Sequence, residues 1–314
     1  MKNDQNAHNP FINTQTLTYY DIDQLADVVK GASLEVQQLD KGNFYSDHVN
    51  VSLNKGVLDK GYYKRSTLTK GTFSPEYMTF GFIHDTPKAG RLNGESMHQH
   101  DILLSNENGP LDYSLAADSH WSSFQFKRED FLKTGIKLPS NDSIIYHLDT
   151  KTIHSFSRQL NAIFMHLQET EEAINSELLY NHILSLYAYA ANQTTSLRHL
   201  KRSESFLLAT KIYEYMHEHS AEPIQMIHLT QLTGKSERTI ERIYKKHFGV
   251  TPYTYLKLHR LHLVRNALMK QEDLNARNIT QIAMENGFMH MGYFGSEYKK
   301  LFNEKPKDTW KNNV

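Results

Sequence analysis

Arg238 and Arg242 lie four residues apart in a stretch where Ile240, Ile243, Tyr244 and Phe248 recur at helical spacing. On a helix the two guanidinium groups share the polar face with Glu237, Glu241 and Lys245, opposite the apolar one. Arginine pairs bidentately with guanine in a major groove, so Arg238 and Arg242 are candidate base readers. Thr239 and Glu241 are candidates beside them, Glu241 either accepting from cytosine N4 or orienting Arg242. Ser236, Lys245, Lys246, Lys299 and Lys300 suit phosphate, which supplies affinity and salt dependence without sequence information. The competing reading is a helical bundle with a solvated charged face.

Other chemistries find less support. His98-x-His100, with His120 downstream, has the two-residue spacing that puts both rings on one face of a strand, as metal ligands require. The chain holds 18 histidines and 18 tyrosines, however, and no carboxylate stands at a convincing offset, so polar surface or pocket histidines are the simpler reading. No metal and no cofactor is expected. Without cysteine there is no thiolate nucleophile, disulfide or cysteine metal site, and no Gly-x-Ser-x-Gly turn is present. Catalytic residues are therefore expected to be absent and the protein not to be an enzyme.

The elements that position these residues divide the chain. Across 314 residues the net charge is zero, but residues 205–314 carry 16 Lys+Arg against 11 Asp+Glu, while residues 1–204 carry 19 against 24. The C-terminal excess favours a polyanion partner. Polar residues 1–19 read as a tail with no signal-peptide core, and no apolar run is long enough to span a membrane, so a cytoplasmic protein is expected. Residues 20–148 alternate in short runs (48–56, 76–85, 120–127) with glycine turns between them, as in an antiparallel sandwich or barrel. Between 149 and 193 apolar residues fall three and four apart in two segments about an acidic turn at 169–172. That is a helical hairpin whose stripes are covered by the sheets, by each other or by a second subunit, a possible homodimer contact. Residues 194–205 read as a linker.

From residue 206 strand signals vanish. A short helix near 224–232, the turn Thr233-Gly234-Lys235 and a helix over 237–247, with Ser236 as N-cap, are the parts of a helix-turn-helix. The arrangement recurs: Asn278 caps a helix over 279–285, Asn286-Gly287 turn the chain, and a further helix runs to Phe302. Its apolar face is Phe294, Tyr298, Leu301 and Phe302, and its other side offers His290, Met291 and Ser296 as weaker base readers with Gly295 and Lys299. The helix between the units, over 252–269, makes a rod of roughly 27 Å, close to the separation of about 34 Å between successive major-groove segments.

Gly234-x-Ser236-x-x-x-Ile240-x-Arg242-x-Tyr244, then Gly249, Pro252, Tyr255 and Arg260, and later Ile282-Ala283, Gly287-Phe288, Phe294, Tyr298, Phe302 and Pro306, resemble the DNA-binding domain of the AraC/XylS family of transcription regulators. The likeness spans about 100 residues with the same order and spacing, and residues 287–306 look most like the ethanolamine-operon regulator and XylS-like subgroup. It implies an α+β protein: a cupin-like effector-binding β-barrel (20–148) with the helical hairpin, joined to an all-α double helix-turn-helix domain (206–314). It also implies an activator that binds double-stranded promoter DNA, recruits RNA polymerase and answers an unknown small-molecule effector. A metal-dependent cupin enzyme fused to a helical module is the alternative. The implied effector pocket falls among Phe80, Phe82, Trp121, Phe124 and Phe126, where alternation puts Phe80 with Phe82, and Phe124 with Phe126, on one face each; core filling is the other reading. Ser296, Thr230 and Asn303 depart from the arginine, alanine and glycine common in the family, so the first unit is expected to carry more base specificity.

Overall fold

The computed structural model describes residues 12–25, 33–136, 143–169, 174–200, 202–270 and 278–311. Residues 1–11 of the expected tail and most of the acidic turn at 169–172 lie outside these. Two antiparallel sheets form the N-terminal half. The larger runs β1 (Asn13–Tyr19), β3 (Ser46–Ser52), β4 (Val57–Tyr63), β11 (Ser119–Phe126), β6 (Met78–Asp85), β9 (Asp101–Ser105), β12 (Ser143–His147) and β13 (Ser196–His199). The smaller runs β2 (Ser33–Gln38), β5 (Thr67–Thr72), β10 (Pro110–Leu115), β7 (Gly90–Leu92) and β8 (Glu95–Met97). A short helix, α1 (Arg128–Leu132), follows β11. Part of the expected tail is thus a strand, β1, and part of the expected linker is another, β13, paired to β12 from Ile144–His199 to His147–Ser196.

The expected closed barrel is instead two open sheets, because among the described residues no ladder joins one to the other. The physical reason lies in the larger sheet, which is apolar on both faces. Its outer face carries Phe80, Phe82, Phe124 and Phe126, and these are covered by α2 (Thr150–Glu169) and α3 (Ser176–Asn192). Phe80 stacks on Tyr187 at 4.8 Å, Phe82 meets Phe156 at 5.1 Å, and Phe124 meets Tyr180 at 5.6 Å between ring centroids. The helical hairpin therefore buries its stripe within the chain. Asn175 caps α3 by accepting from the amides of Glu177 and Leu178.

The inner face of the larger sheet packs on the smaller one through Tyr63, Ile83, Leu103, Trp121 and Ile145 against Val36, Leu92 and Leu111. A cavity of ≈ 90 Å³ remains between the sheets. Trp121, Ser123 and Gln125, alternate residues of β11, line it, as do Thr79 and Gly81 of β6 and Leu34 and Val36 of β2. The pairing of the phenylalanines was legible, but the face they share is the helix-covered one: Phe80, Phe124 and Phe126 do not line the cavity, while Phe82 and Trp121 border it.

Among the described residues seven helices make the C-terminal part: α4 (Glu204–Glu218), α5 (Met226–Thr233), α6 (Glu237–Phe248), α7 (Pro252–Lys270), α8 (Ile279–Glu285), α9 (Met291–Phe302) and α10 (Pro306–Lys311). They form two cores, one around Ile240, Tyr244, Phe248 and Tyr255, the other around Leu261, Val264, Phe294 and Tyr298. No described helix is long and apolar enough to cross a membrane.

The hydroxyl of Thr79 is buried at the cavity with no hydrogen-bond partner in the protein. Thr79→Val keeps the shape and removes the orphaned group, so it should raise the unfolding free energy by about 1 kcal/mol in the absence of ligand. Urea denaturation reads this directly, and a loss of stability would show that the hydroxyl is satisfied within the fold.

Candidate nucleic-acid interface

Each unit is built by local rules. Gly234 ends α5 in the left-handed region (φ 65°) and donates to the Thr230 carbonyl at 2.8 Å, which turns the chain sharply into α6. Ser236 is the extended N-cap of α6, but its hydroxyl pairs with Thr239 Oγ1 at 3.0 Å rather than with a backbone amide. Ile240, Ile243, Tyr244 and Phe248 are buried, which leaves Arg238, Arg242, Lys245 and Lys246 exposed on the other side, with Thr239 and Glu241 half-buried between. Lys245 and Lys246 in the last turn also suit the negative end of the helix dipole.

In the second unit Asn278 and Gln281 cap α8 reciprocally. Asn303 takes the left-handed conformation (φ 58°) after α9, a position asparagine tolerates almost as well as glycine. His290, Ser296 and Lys299 are exposed. Met291 is half-buried against the second core, so its side chain serves packing as well as surface. Lys300 is held by Glu297 at 2.6 Å, and Glu297 also takes Lys257 of α7 at 2.5 Å. These two ammonium groups push the Glu297 carboxyl down to about 2. Lys300 is thereby tied to an acid, whereas Lys299 is exposed.

The two units are joined by α7, whose 19 residues make a rod of roughly 28 Å. Arg260, midway along it, donates from Nε to the Ser220 carbonyl at 2.6 Å, and from its terminal nitrogens to Glu222 at 2.5 Å and Gly287 at 3.3 Å. The first two carbonyls follow α4, and the third lies in the α8–α9 turn. Gly287 has φ 81°, and a Cβ there would stand 2.8 Å from the guanidinium. Between the units runs a groove of ≈ 520 Å³ lined by Tyr253, Lys257, Arg260, Met289, His290 and Tyr293. Sequence periodicity missed Tyr253, Lys257 and Tyr293, because groove residues come from two different helices.

His98, His100 and His120, weighed against a polar surface or pocket reading, are not among the groups that come within ligand distance of one another in the described residues. His98 is exposed, His100 is half-buried, and His120 stacks on Tyr62 at 4.7 Å. In the cavity, Gln125, missed from sequence, is buried with neither amide atom partnered by the protein. Its signal was the alternation that places it with Trp121 and away from Phe124.

Residues 229–312 match the family model described as a helix-turn-helix domain. A stretch of 99 residues, 32% of this chain, is 32% identical to the XylDLEGF operon transcriptional activator of Pseudomonas putida and covers 30% of it. Over 177 residues, 54% of this chain, the identity to the HTH-type transcriptional activator RhaS of Escherichia coli is 25%, covering 60% of that protein. Among solved structures, a probable AraC family transcriptional regulator from Rhodopseudomonas palustris is 29% identical with a TM-score of 0.32, over 34% of this chain and 97% of that one. The AraC-like transcriptional activator CuxR is 10% identical with a TM-score of 0.44, over 86% of this chain and all of that one. The matched part thus spans less than two thirds of these curated relatives, and what the chain shares with them is a C-terminal helix-turn-helix region similar to that of AraC/XylS-type transcription regulators.

Proposed function

We propose that this protein is a transcription activator of the AraC/XylS type, which reads an asymmetric promoter site with two helix-turn-helix units and answers a small molecule. The observation that carries the reading is the pair of exposed recognition helices, α6 and α9, set on one rod and clamped by Arg260. In this reading α6 enters one major groove with Arg238 and Arg242 on base edges, Thr239 and Glu241 beside them, and Ser236, Lys245 and Lys246 on phosphate. The second helix contributes His290, Met291 and Ser296 more weakly, with Lys299 and Lys300 on the backbone. RNA polymerase is the protein partner, and the cytoplasm, where promoter DNA is found, is the place of action. Homodimerisation through α2 and α3, which leave Met165, Leu178 and Tyr189 exposed, belongs to the same proposal.

The effector site in this reading is the cavity between the sheets, within the half at 20–148, and the DNA-reading half is 206–314. The cavity suits a small, mostly apolar molecule with one polar group to meet Gln125 and Thr79. Strand β2 offers the route of control. Leu34 and Val36 line the cavity, while Glu35 and Gln37 on its other face meet Tyr213 of α4 at 3.2 Å and His259 of α7 at 2.9 Å. A ligand that shifts β2 would change how the helical half is held, provided it binds the two arrangements unequally.

Footprinting and gel-shift titrations with the full chain test the reading. Arg242→Ala should relax preference at one or two base pairs, each worth about 1–3 kcal/mol, whereas Lys246→Ala should weaken binding to all sequences and lower the salt slope by about one. Equal losses on specific and random DNA for Arg242→Ala would place that side chain on the backbone.

The clamp makes a separate claim. Arg260→Ala removes a donor from three carbonyls, of which Glu222 keeps the Ile224 amide, and frees the second unit from the first, costing about 1–3 kcal/mol of stability by chemical denaturation. It should also reduce affinity for a site containing both half-elements more than for the α6 half-element alone. Equal losses on both would show that the units act independently.

A further inference from the structure

Glu35 of β2, His217 of α4 and His259 of α7 are far apart in sequence, yet one donor atom from each lies within 4.8 Å of the other two. Glu35 Oε1 stands 3.8 Å from His259 Nδ1, and the two imidazole rings are 3.8 Å apart between centroids. Burial holds both imidazoles well below their usual range, so they are neutral near pH 7, the form that ligates a metal without first losing a proton.

The surroundings orient these groups. Tyr255 OH lies 2.6 Å from His217 Nε2, and Tyr213 donates to Glu35 Oε2 at 3.2 Å. The Gln37 amide nitrogen reaches both Glu35 Oε1 at 2.6 Å and His259 Nδ1 at 2.9 Å, so an ion bound at these two atoms takes the place of that amide hydrogen. Gln37 Oε1, on the same amide, is buried with no partner in the protein. Lys70, a cation near His217, lies over the Tyr213 ring at 3.7 Å and is paired with Asp112 at 2.9 Å, and Arg260, a cation near His259, is held by carbonyls. Tyr255 behind His217 and Tyr213 behind Glu35 are partners of the kind that fix ligand orientation and raise affinity.

We propose that Glu35, His217 and His259 form a site for a divalent transition metal, Zn²⁺ in the first instance, at the junction of the two halves of the protein. Two imidazoles and one carboxylate suit a borderline ion such as zinc or cobalt, with the remaining position open to water. Because its ligands come from the small sheet, from α4 and from the rod α7, a bound ion clamps the helical half onto β2. Occupancy therefore stabilises the docked arrangement over any in which the halves separate. This inference stands whether or not the chain reads DNA.

The test uses the full chain after chelation and dialysis. Titration with Co²⁺ alone, followed by its visible d–d absorption, and with Zn²⁺ alone by calorimetry, should each reach one equivalent, and Zn²⁺ should raise the thermal midpoint. Glu35 is half exposed, so Glu35→Gln keeps the fold and should weaken binding at least about tenfold and remove the thermal shift. His217→Gln should act in the same way. A double variant His98→Gln, His100→Gln, at the other histidine pair, should bind as the parent does. The proposal is overturned if the parent binds no stoichiometric metal, if Glu35→Gln and His217→Gln bind undiminished, or if binding is lost only in the His98/His100 variant.

Discussion

The arrangement of the helical half depends on one charged group holding backbone oxygens. Each carbonyl that Arg260 takes lies in a connection between helices, outside any helical ladder. Two of them leave α4 and the third lies in the second unit's turn, so one planar fork with several donors on α7 fixes the units relative to each other. The glycine at 287 is the counterpart of that arginine. Its left-handed φ makes the turn, and its missing side chain makes room for the guanidinium. Glu297 adds a second tie between rod and recognition helix through Lys257.

The same rod meets the N-terminal half. His262 Nε2 approaches the Gln38 carbonyl at 3.3 Å, Gln38 and Gly42 both donate to the Leu301 carbonyl, and Arg265 pairs with Asp21 at 2.6 Å and with Glu304. Leu39 and Leu68 pack into the helical cores. What distinguishes β2 in this junction is that its residues alternate between the cavity and the helices. A strand whose residues face both environments is a short mechanical path from the cavity to the orientation of the rod. Burial of several neutral histidines along the junction, His217, His259 and His262 among them, means that protonating them works against docking. Their folded-state affinity for protons is below that of the unfolded chain, so docking is favoured above the ordinary histidine range and weakens as pH falls through it. Glu35, exposed beside His259, opposes that trend for one of them.

In the N-terminal half, aromatic residues are divided by side. The phenylalanines of β6 and β11 serve the hairpin α2–α3, while Trp121, Tyr63 and Tyr113 serve the space between the sheets. A sheet covered on one face by helices and on the other by a second sheet buries both without curling shut, which is why open sheets replace a barrel here.

The helical half was legible almost residue by residue from the sequence, because caps, glycine turns and three-four spacing are local signals: α6, α7 and α8 fall within a residue or so of the ranges those signals predict. The exposed face of α6 was equally legible, since on a helix the residues opposite a buried stripe have nowhere else to go. Alternation also paired Phe80 with Phe82 and Phe124 with Phe126. Which face of the sheet meets helices and which meets a cavity was decided by tertiary structure alone, since period two is the same whichever face is chosen. So were strand β13, hidden in a polar stretch, the division of the β half into two open sheets, the three carbonyls under Arg260, and the meeting of Glu35 with His217 and His259. Each of these depends on segments brought together over long sequence separations, and no spacing along the chain encodes such a distance.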